Sequence, residues 1–349
     1  MYIKKILLFI VLIGLVVGGI FAYMVYGAVF DPNTKFNNDQ AYIFIASDAT
    51  FEDVKESLSP LLEDMDSFNR IAEKKGYAAN VKGGKYAIKK GMNNNEIVNE
   101  LRNGNGNIAV KVAFNNQETL ANLAGRIAVQ IEADSISLLK AFEDADFLEG
   151  NGFNADTKLA MYVPNSYECF WNISASKFRD KMLREYKVFW NKTRRDKAKA
   201  LGYSPTEVTT LASIVHKETV KIDERPRVAG VYLNRLRKGM LLQADPTVIY
   251  ALKKHRNDFD LVIKRVFYKD LELDSPYNTY KYSGLPPGPI AMPDISAIDA
   301  VLSPEKHGYY YFVANVENFG YHKFAKTLAQ HNQNKVQYIR WINSKKINR

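Results

Sequence analysis

One side chain in the segment Leu211-Ala-Ser-Ile-Val-His-Lys-Glu-Thr-Val220 is well suited to chemistry: Glu218. Read as a helix, the segment carries an apolar stripe at Val208, Leu211 and Val215, followed by Glu218 and then Ile222. Steps of three and four residues share one helical face, so the carboxylate falls on the side that turns toward the core. Apolar surroundings disfavour the charged form of a carboxyl group and raise its pKa. A glutamic acid still protonated near neutral pH can act as a general acid. The helix start is marked by Ser204 as N-cap, Pro205 at the first helical position and Glu207 completing a capping box. The same pattern also describes a glutamate held in a structural ion pair, which perturbs a pKa too. Spacing alone leaves both readings open.

Other chemistries fit less well. His216 and Glu218 do not form the H-E-x-x-H zinc pattern, and His255, His307, His322 and His331 show no ligand spacing. Cys169 is the single cysteine, so it forms no internal disulfide and reads as a buried structural thiol. No phosphate loop or dinucleotide fingerprint occurs, and neither metal nor cofactor is expected. Ser213 and His216 share a helical turn and lack an orienting carboxylate, which argues against a nucleophile pair. A single carboxylate amid abundant Tyr, Asn and Gln points to a carbohydrate site.

The elements that position this carboxylate begin with an apolar run. No charge occurs between Lys5 and Asp31, and Ile6 to Phe30 exceeds the roughly 20 residues that cross a bilayer as a helix. A cleaved signal peptide has a shorter apolar region and a small-residue cleavage site; it is the alternative to an uncleaved anchor. Lys4 and Lys5 place residues 1–5 in the cytoplasm by the positive-inside rule, with the rest of the chain outside. The net charge of +10 then points to anionic headgroups or an acidic wall polymer rather than nucleic acid.

Residues 31–40 read as a polar linker. Strand patterns at 41–46, 84–90 and 108–114 alternate with helical ones at 50–62, 65–75 and from about Asn94, which makes a small α+β module over 41–114. Residues 115–349 form a larger α+β domain, with helices over 115–150 and one amphipathic helix over the basic stretch Lys177 to Lys199. The Pro/Gly-dense segment 283–293 reads as a rigid, shaped loop.

Leu211-Ala-Ser-Ile-Val-His-Lys-Glu-Thr219 resembles the L-A-S-I-V-E-K-E-T signature of the MltG (YceG-like) endolytic murein transglycosylases. Four further blocks resemble that family in the same order: Val228-Ala-Gly-Val-Tyr-Leu-Asn-Arg-Leu236, Leu242-Gln-Ala-Asp-Pro-Thr-Val-Ile-Tyr250, Ser275-Pro-Tyr-Asn-Thr-Tyr280 and Gly284-Leu-Pro-Pro-Gly-Pro-Ile-Ala-Met-Pro293. Gly84-Lys-Tyr86 is similar to the entry of the family's LysM-like module. Together the blocks cover roughly residues 40–340. Two positions depart from the pattern. His216 stands where the family commonly has Glu, and Asn165 of Val163-Pro-Asn-Ser-Tyr167 replaces an Asp.

The resemblance implies a membrane-anchored lytic transglycosylase of the inner (plasma) membrane. Its substrate would be peptidoglycan glycan strands, its partners peptidoglycan synthases, and its effect the termination of glycan polymerisation. Glu218 would be the acid and then the base. Tyr167, Asn234, Gln243, Asp245, Asn278 and Tyr280 would contact the glycan or shape its cleft. Two other classes remain: a lysozyme-type hydrolase, which needs a second carboxylate such as Asp245, and a non-catalytic peptidoglycan-binding protein.

Overall fold

The computed structural model describes residues 2–104 and 106–344, and it has the mixed α+β composition expected from the sequence. It divides into two compact units.

The first unit spans Met1–Val112 and also takes in Val129–Ala133 and Tyr167–Ser174, so the chain leaves it and returns twice rather than crossing one boundary. It opens with α1 (Tyr2–Phe30), a 29-residue helix that is apolar on all sides and has no buried residue. Its length and composition are those of a bilayer-crossing helix. Residues 31–40, read as a polar linker, make specific contacts. Pro32 bridges Asn93, Thr34 bridges Leu62, and the buried Asn33 amide donates to Asp64 O at 2.8 Å and to Asn94 Oδ1 at 2.7 Å. Asn94 in turn donates to Ala28 O in α1 and to Ser67 Oγ. A polar network unreadable from local composition therefore fixes the end of α1.

Then follow β1 (Gln40–Ile45), α2 (Phe51–Leu58), α3 (Met65–Lys74), β2 (Gly84–Lys89) and α4 (Asn94–Asn103). β1 and β2 are antiparallel, with Gln40 opposite Lys89 and Ile45 opposite Gly84. Strand alternation sends Ile43, Ile45, Tyr86 and Ile88 inward. They meet Val54 and Leu58 of α2, Phe68 of α3 and Ile97 and Leu101 of α4 in one core. Capping boxes at Thr50/Asp53 and Asn93/Glu96 start α2 and α4. β3 (Ala109–Phe114) and β4 (Asn165–Phe170) pair as a second two-stranded sheet. The returning segments are held by polar contacts: Glu132 accepts from Ser47 N and Oγ, and its own N–H donates to Trp171 O at 2.9 Å.

The second unit is mostly helical: α5 (Leu120–Ala128), α6 (Ser135–Phe142), α7 (Ala145–Gly150), α8 (Ala175–Phe189), α9 (Lys192–Leu201), α10 (Pro205–Glu218), α11 (Arg225–Arg237), α12 (Asp245–Arg256), α13 (Ile295–Leu302) and α14 (Leu328–Ser344). One antiparallel hairpin, β5 (Tyr311–Ala314) with β6 (His322–Ala325), completes it. The basic stretch 177–199 is two helices, not one. Trp190 is buried, and Asn191 caps α9 by accepting from Arg194 N. The continuous charge pattern hid that N-cap. Cys169, in the first unit, is buried and unpaired with any other cysteine.

At the centre of the second unit, α10 packs against α9, α11, α12 and α13. Every residue from Val208 to Val215 is buried. A helix enclosed on all sides is held rigidly, which suits it to carry a reactive group at its end.

Candidate active site

The start of α10 is the capping box expected from sequence. Glu207 N donates to Ser204 Oγ at 3.2 Å, Ser204 N donates to Glu207 Oε2 at 2.8 Å, and Pro205 occupies the first turn. The helix ends at Glu218 because Thr219 turns extended (φ −140°, ψ 133°). Ile222 consequently lies off the helix and 64% exposed, so the buried stripe stops at Val215 rather than continuing past the glutamate.

Glu218 is half-buried at this junction. Tyr232 of α11, 2% exposed, donates its hydroxyl to Glu218 Oε1 at 2.5 Å. Burial pushes the Glu218 carboxyl up to about 7. The Tyr232 hydrogen bond and the positive charges of His322 and Arg235 oppose that shift, while Asp245 reinforces it. The negative end of the α10 dipole acts in the same direction as burial. Burial, with Glu218 beside it, holds the Tyr232 phenol well above its ordinary value, so it is a fixed donor.

Two basic side chains, Arg235 and His322, act on the pair. Arg235 lies three residues beyond Tyr232 on the same face of α11. It is 8% exposed and donates to the carbonyls of Tyr310 (2.6 Å), Leu241 (3.2 Å) and Leu242 (2.8 Å). Among the described residues it has no ion-pair partner. His322 on β6 is bound at both its backbone N–H and its Nδ1 by the buried Glu224, at 2.7 and 2.8 Å. Glu224 also accepts from Thr219 Oγ1, next to Glu218 in the chain. Burial raises the Glu224 carboxyl, but the His322 contacts outweigh it and hold the group below its ordinary range.

A second arm brings in the segments 240–247 and 275–282. Tyr280 donates to Asp245 Oδ1 at 2.6 Å, and burial and that carboxylate raise the Tyr280 phenol. Thr279 Oγ1 accepts from Ala244 N at 3.0 Å and meets Thr247 Oγ1 at 2.8 Å, while Thr279 O accepts from Gln243 N. Gln243 is exposed and has φ +48°, a left-handed conformation that is unfavourable for a side chain with a Cβ. Asn278 is fully buried, and its amide bonds Leu271 O, Leu273 O and Tyr280 N, so it shapes the loop from inside. Asn234 similarly donates to His307 O and Tyr309 O, which ties α11 to the approach of β5. Tyr167 is buried in β4 within the first unit. Asn165 is exposed and accepts from Ser166 N.

The Pro/Gly segment is fixed against α10: Ile290 N donates to Ser213 Oγ at 3.0 Å. That hydroxyl is fully buried, which accounts for it without nucleophile chemistry. Gly288 is packed so closely that an added Cβ would lie 1.9 Å from Asp156 O. His216 joins a network on the other side of α10. Buried Arg225 meets His216 Nδ1 at 3.2 Å and Asp294 Oδ2 at 3.1 Å, and Asn116 donates to Asp294 Oδ1. Burial lowers the His216 pKa, with Arg225 adding to the effect, so Asp294 supplies the carboxylate facing Arg225. Among the described residues no cluster of three or more His, Cys, Asp and Glu side chains is placed to hold a metal ion.

Sequence reading singled out Glu218, Asp245 and Tyr280 but not Tyr232, Arg235, Glu224 or His322. The Tyr232–Arg235 spacing was a usable signal, because two polar groups three apart on a buried helix share a face. His322 and Glu224 are 98 residues apart, and only tertiary structure brings them together.

The arrangement sets one carboxyl of raised pKa beside a fixed phenol donor at a rigid helix end, with Asp245 near enough to act on it. A YceG-like family model matches residues 43–337, and the chain belongs to the YceG-like family. It is 31% identical over 349 residues to an endolytic murein transglycosylase of Bacillus subtilis, covering 95% of this chain and 93% of that protein. It is also 35% identical over 141 residues to an endolytic murein transglycosylase of Streptococcus pneumoniae, covering 40% of this chain and 25% of that protein. A crystal structure of a YceG-like protein from Listeria monocytogenes superposes with TM-score 0.57 at 30% identity, covering 85% of this chain and 99% of the other.

Proposed function

We propose that this chain is an endolytic lytic transglycosylase of peptidoglycan that uses Glu218 as acid and then base. The observation that carries the reading is the Glu218 carboxyl, raised to about 7 and hydrogen-bonded by Tyr232. Protonated Glu218 donates to the oxygen of the β-1,4 bond between N-acetylmuramic acid and N-acetylglucosamine. The bond from that oxygen to the muramic C1 breaks, and positive charge develops on C1. The C6 hydroxyl of the same muramic residue forms the new bond to C1 and gives its proton to the Glu218 carboxylate. The products are a 1,6-anhydromuramic end and a free N-acetylglucosamine hydroxyl, with no water consumed and the acid reloaded. One carboxylate serves both steps, whereas hydrolysis engages a second.

The surroundings support this cycle. Tyr232 stabilises Glu218 in its ionised interval by donating to Oε1. Arg235 carries a guanidinium charge that favours the Glu218 carboxylate. Asp245, Tyr280 and Gln243 present partly or fully exposed polar groups, and these are the proposed glycan contacts. Asn234 and Asn278 hold the loops that carry them.

The order β1–α2–α3–β2 in the first unit supports the proposed reading of a LysM-like module. Tyr42 and Phe44, 48% and 47% exposed, offer aromatic faces for sugar stacking. The α1 helix is proposed as a single-pass anchor with residues 1–5 in the cytoplasm, and the remainder outside. Nascent strands, clipped beside peptidoglycan synthases, are the proposed physiological substrate.

The test is digestion of purified peptidoglycan by the full chain in detergent micelles, with products weighed by mass spectrometry. Anhydro products, lighter than hydrolysis products by one water and absent with Glu218→Gln, are expected. Reducing ends would mean a hydrolase and make Asp245 the second carboxylate. Binding without cleavage of either mature or nascent strands would mean a peptidoglycan-binding protein.

A further inference from the structure

We infer that the stretch after α12, residues 256–269 of the second unit, is a docking site for an anionic bilayer surface. The helix stops at Arg256 because Asn257 adopts a left-handed conformation (φ +50°). Beyond it the chain runs without helix or strand to Phe267, then enters a short 3-10 turn at Tyr268–Glu272. Its apolar side chains face outward: Val262 is 77% exposed, Phe267 55% and Tyr268 86%. Exposed Lys264, Arg265 and Lys269 alternate with them. A cavity of about 400 Å³ opens among these residues, with Leu252, Leu261 and Ile263 in its apolar wall and Arg256 at its edge.

The charges here differ from their neighbours. Lys253 and Lys254, in the last turn of α12, are paired with Glu118 and Asp156, each at 2.7 Å. Arg256, Lys264, Arg265 and Lys269 have no ion-pair partner among the described residues. The one acid in the cavity wall, Asp270, accepts the backbone N–H of Phe267 at 2.8 Å and so caps the 3-10 turn. Four cations without an ion-pair partner and three outward apolar side chains therefore share one stretch, outnumbering its two exposed acids, Asp258 and Asp260. Leaving Phe and Val in water is unfavourable, and so is leaving like charges crowded together. An anionic headgroup layer with an acyl boundary beneath it relieves both at once. Basic side chains stay at the phosphates, and the aromatic and aliphatic side chains enter the interface. An acidic soluble partner would answer the charges but not the protruding apolar side chains. The inference rests on the reading of α1 as a membrane anchor, which tethers the chain to a bilayer.

The test uses the full chain with Tyr268→Cys, labelled with a polarity-sensitive fluorophore; Cys169 is buried and not labelled. The chain is reconstituted in phosphatidylcholine vesicles with or without phosphatidylglycerol. Emission is expected to shift to the blue only with phosphatidylglycerol, and the shift is expected to fade at high salt. Each basic residue near an anionic surface contributes roughly a fivefold bias. Lys264→Ala, Arg265→Ala and Lys269→Ala together are therefore expected to lower the docked fraction relative to the undocked on the order of a hundredfold. Equal emission in both vesicle types would overturn the inference, as would an unchanged shift in the triple variant. So would a blue shift produced by soluble polyglutamate in pure phosphatidylcholine, because that would assign the surface to an acidic partner. Flotation of the chain with phosphatidylcholine vesicles reads the anchor separately. A chain that does not float refutes the anchor, while the label's response to phosphatidylglycerol still decides the docking.

Discussion

Removing the Tyr232 hydroxyl should make Glu218 a weaker acid. In Tyr232→Phe the ring remains, packed edge-on against Phe312 at 5.8 Å, but the 2.5 Å donor to Glu218 Oε1 is gone. A hydrogen bond to a charged group contributes about 1.5–3 kcal/mol, and it favours the ionised carboxylate here. At 1.36 kcal/mol per pKa unit, its loss raises the Glu218 pKa by about 1–2 units. The starting value is about 7, so the variant should titrate at roughly 8–9. Because the acid step needs the proton on Glu218, the alkaline limb of kcat/KM follows this pKa. The assay counts anhydro ends released from glycan strands across the pH range, with a thermal melt of the variant run alongside to confirm folding. The limb should move to higher pH although a proton-bearing group has been deleted. A limb that stays in place or moves to lower pH in a folded variant would refute the role given to this hydrogen bond.

Other outcomes follow from the same geometry. The folded Glu218 carboxyl is raised to about 7 against an ordinary 4.5, so its ionisation opposes folding increasingly from about pH 4.5, in full above pH 7, and has no effect well below pH 4.5, where both states are protonated. Glu218→Gln should thus stabilise the chain by up to about 3 kcal/mol at pH 8 and by almost nothing at pH 4, read from denaturant midpoints. Asp294→Asn leaves buried Arg225 without its carboxylate and should cost about 2 kcal/mol, less than for a fully buried pair because Asp294 is partly exposed. Adding His216→Glu, which places a carboxylate where the imidazole meets Arg225, should restore most of that loss in the same melt. Gln243→Gly removes a Cβ from a left-handed position and should add about 1 kcal/mol of stability. If Gln243 contacts glycan, KM rises in that variant while kcat holds.

Much of the local architecture was legible. The capping residues Ser204, Pro205 and Glu207 fixed the start of α10 because their chemistry is local. The strands at 40–45 and 84–89 followed from alternation, since one face of each is buried. The end of α10 was not legible, because Thr219 and Ile222 continue the apolar spacing while the backbone has already turned. Tyr232 gave no signal as a partner of Glu218, since helix crossing and not sequence distance brings them together. Asn278 and Asn234 sit in distinctive sequence blocks that read as glycan-contacting or cleft-shaping, and their amides bond backbone carbonyls. Residue type could not separate a group that faces a ligand from one that holds the loop behind it.

The clasp at the end of α1 has a mechanical consequence. A flexible tether would let the rest of the first unit swivel freely about the end of α1. Here the Asn33–Asn94–Ala28 hydrogen bonds and the bridges at Pro32 and Thr34 leave no slack. Rotation or tilt of the helix is passed directly to the strands and helices packed at its end, so α1 and the rest of the first unit turn together. Inserting a Gly/Ser spacer after Phe30 would add length and also remove that torque coupling.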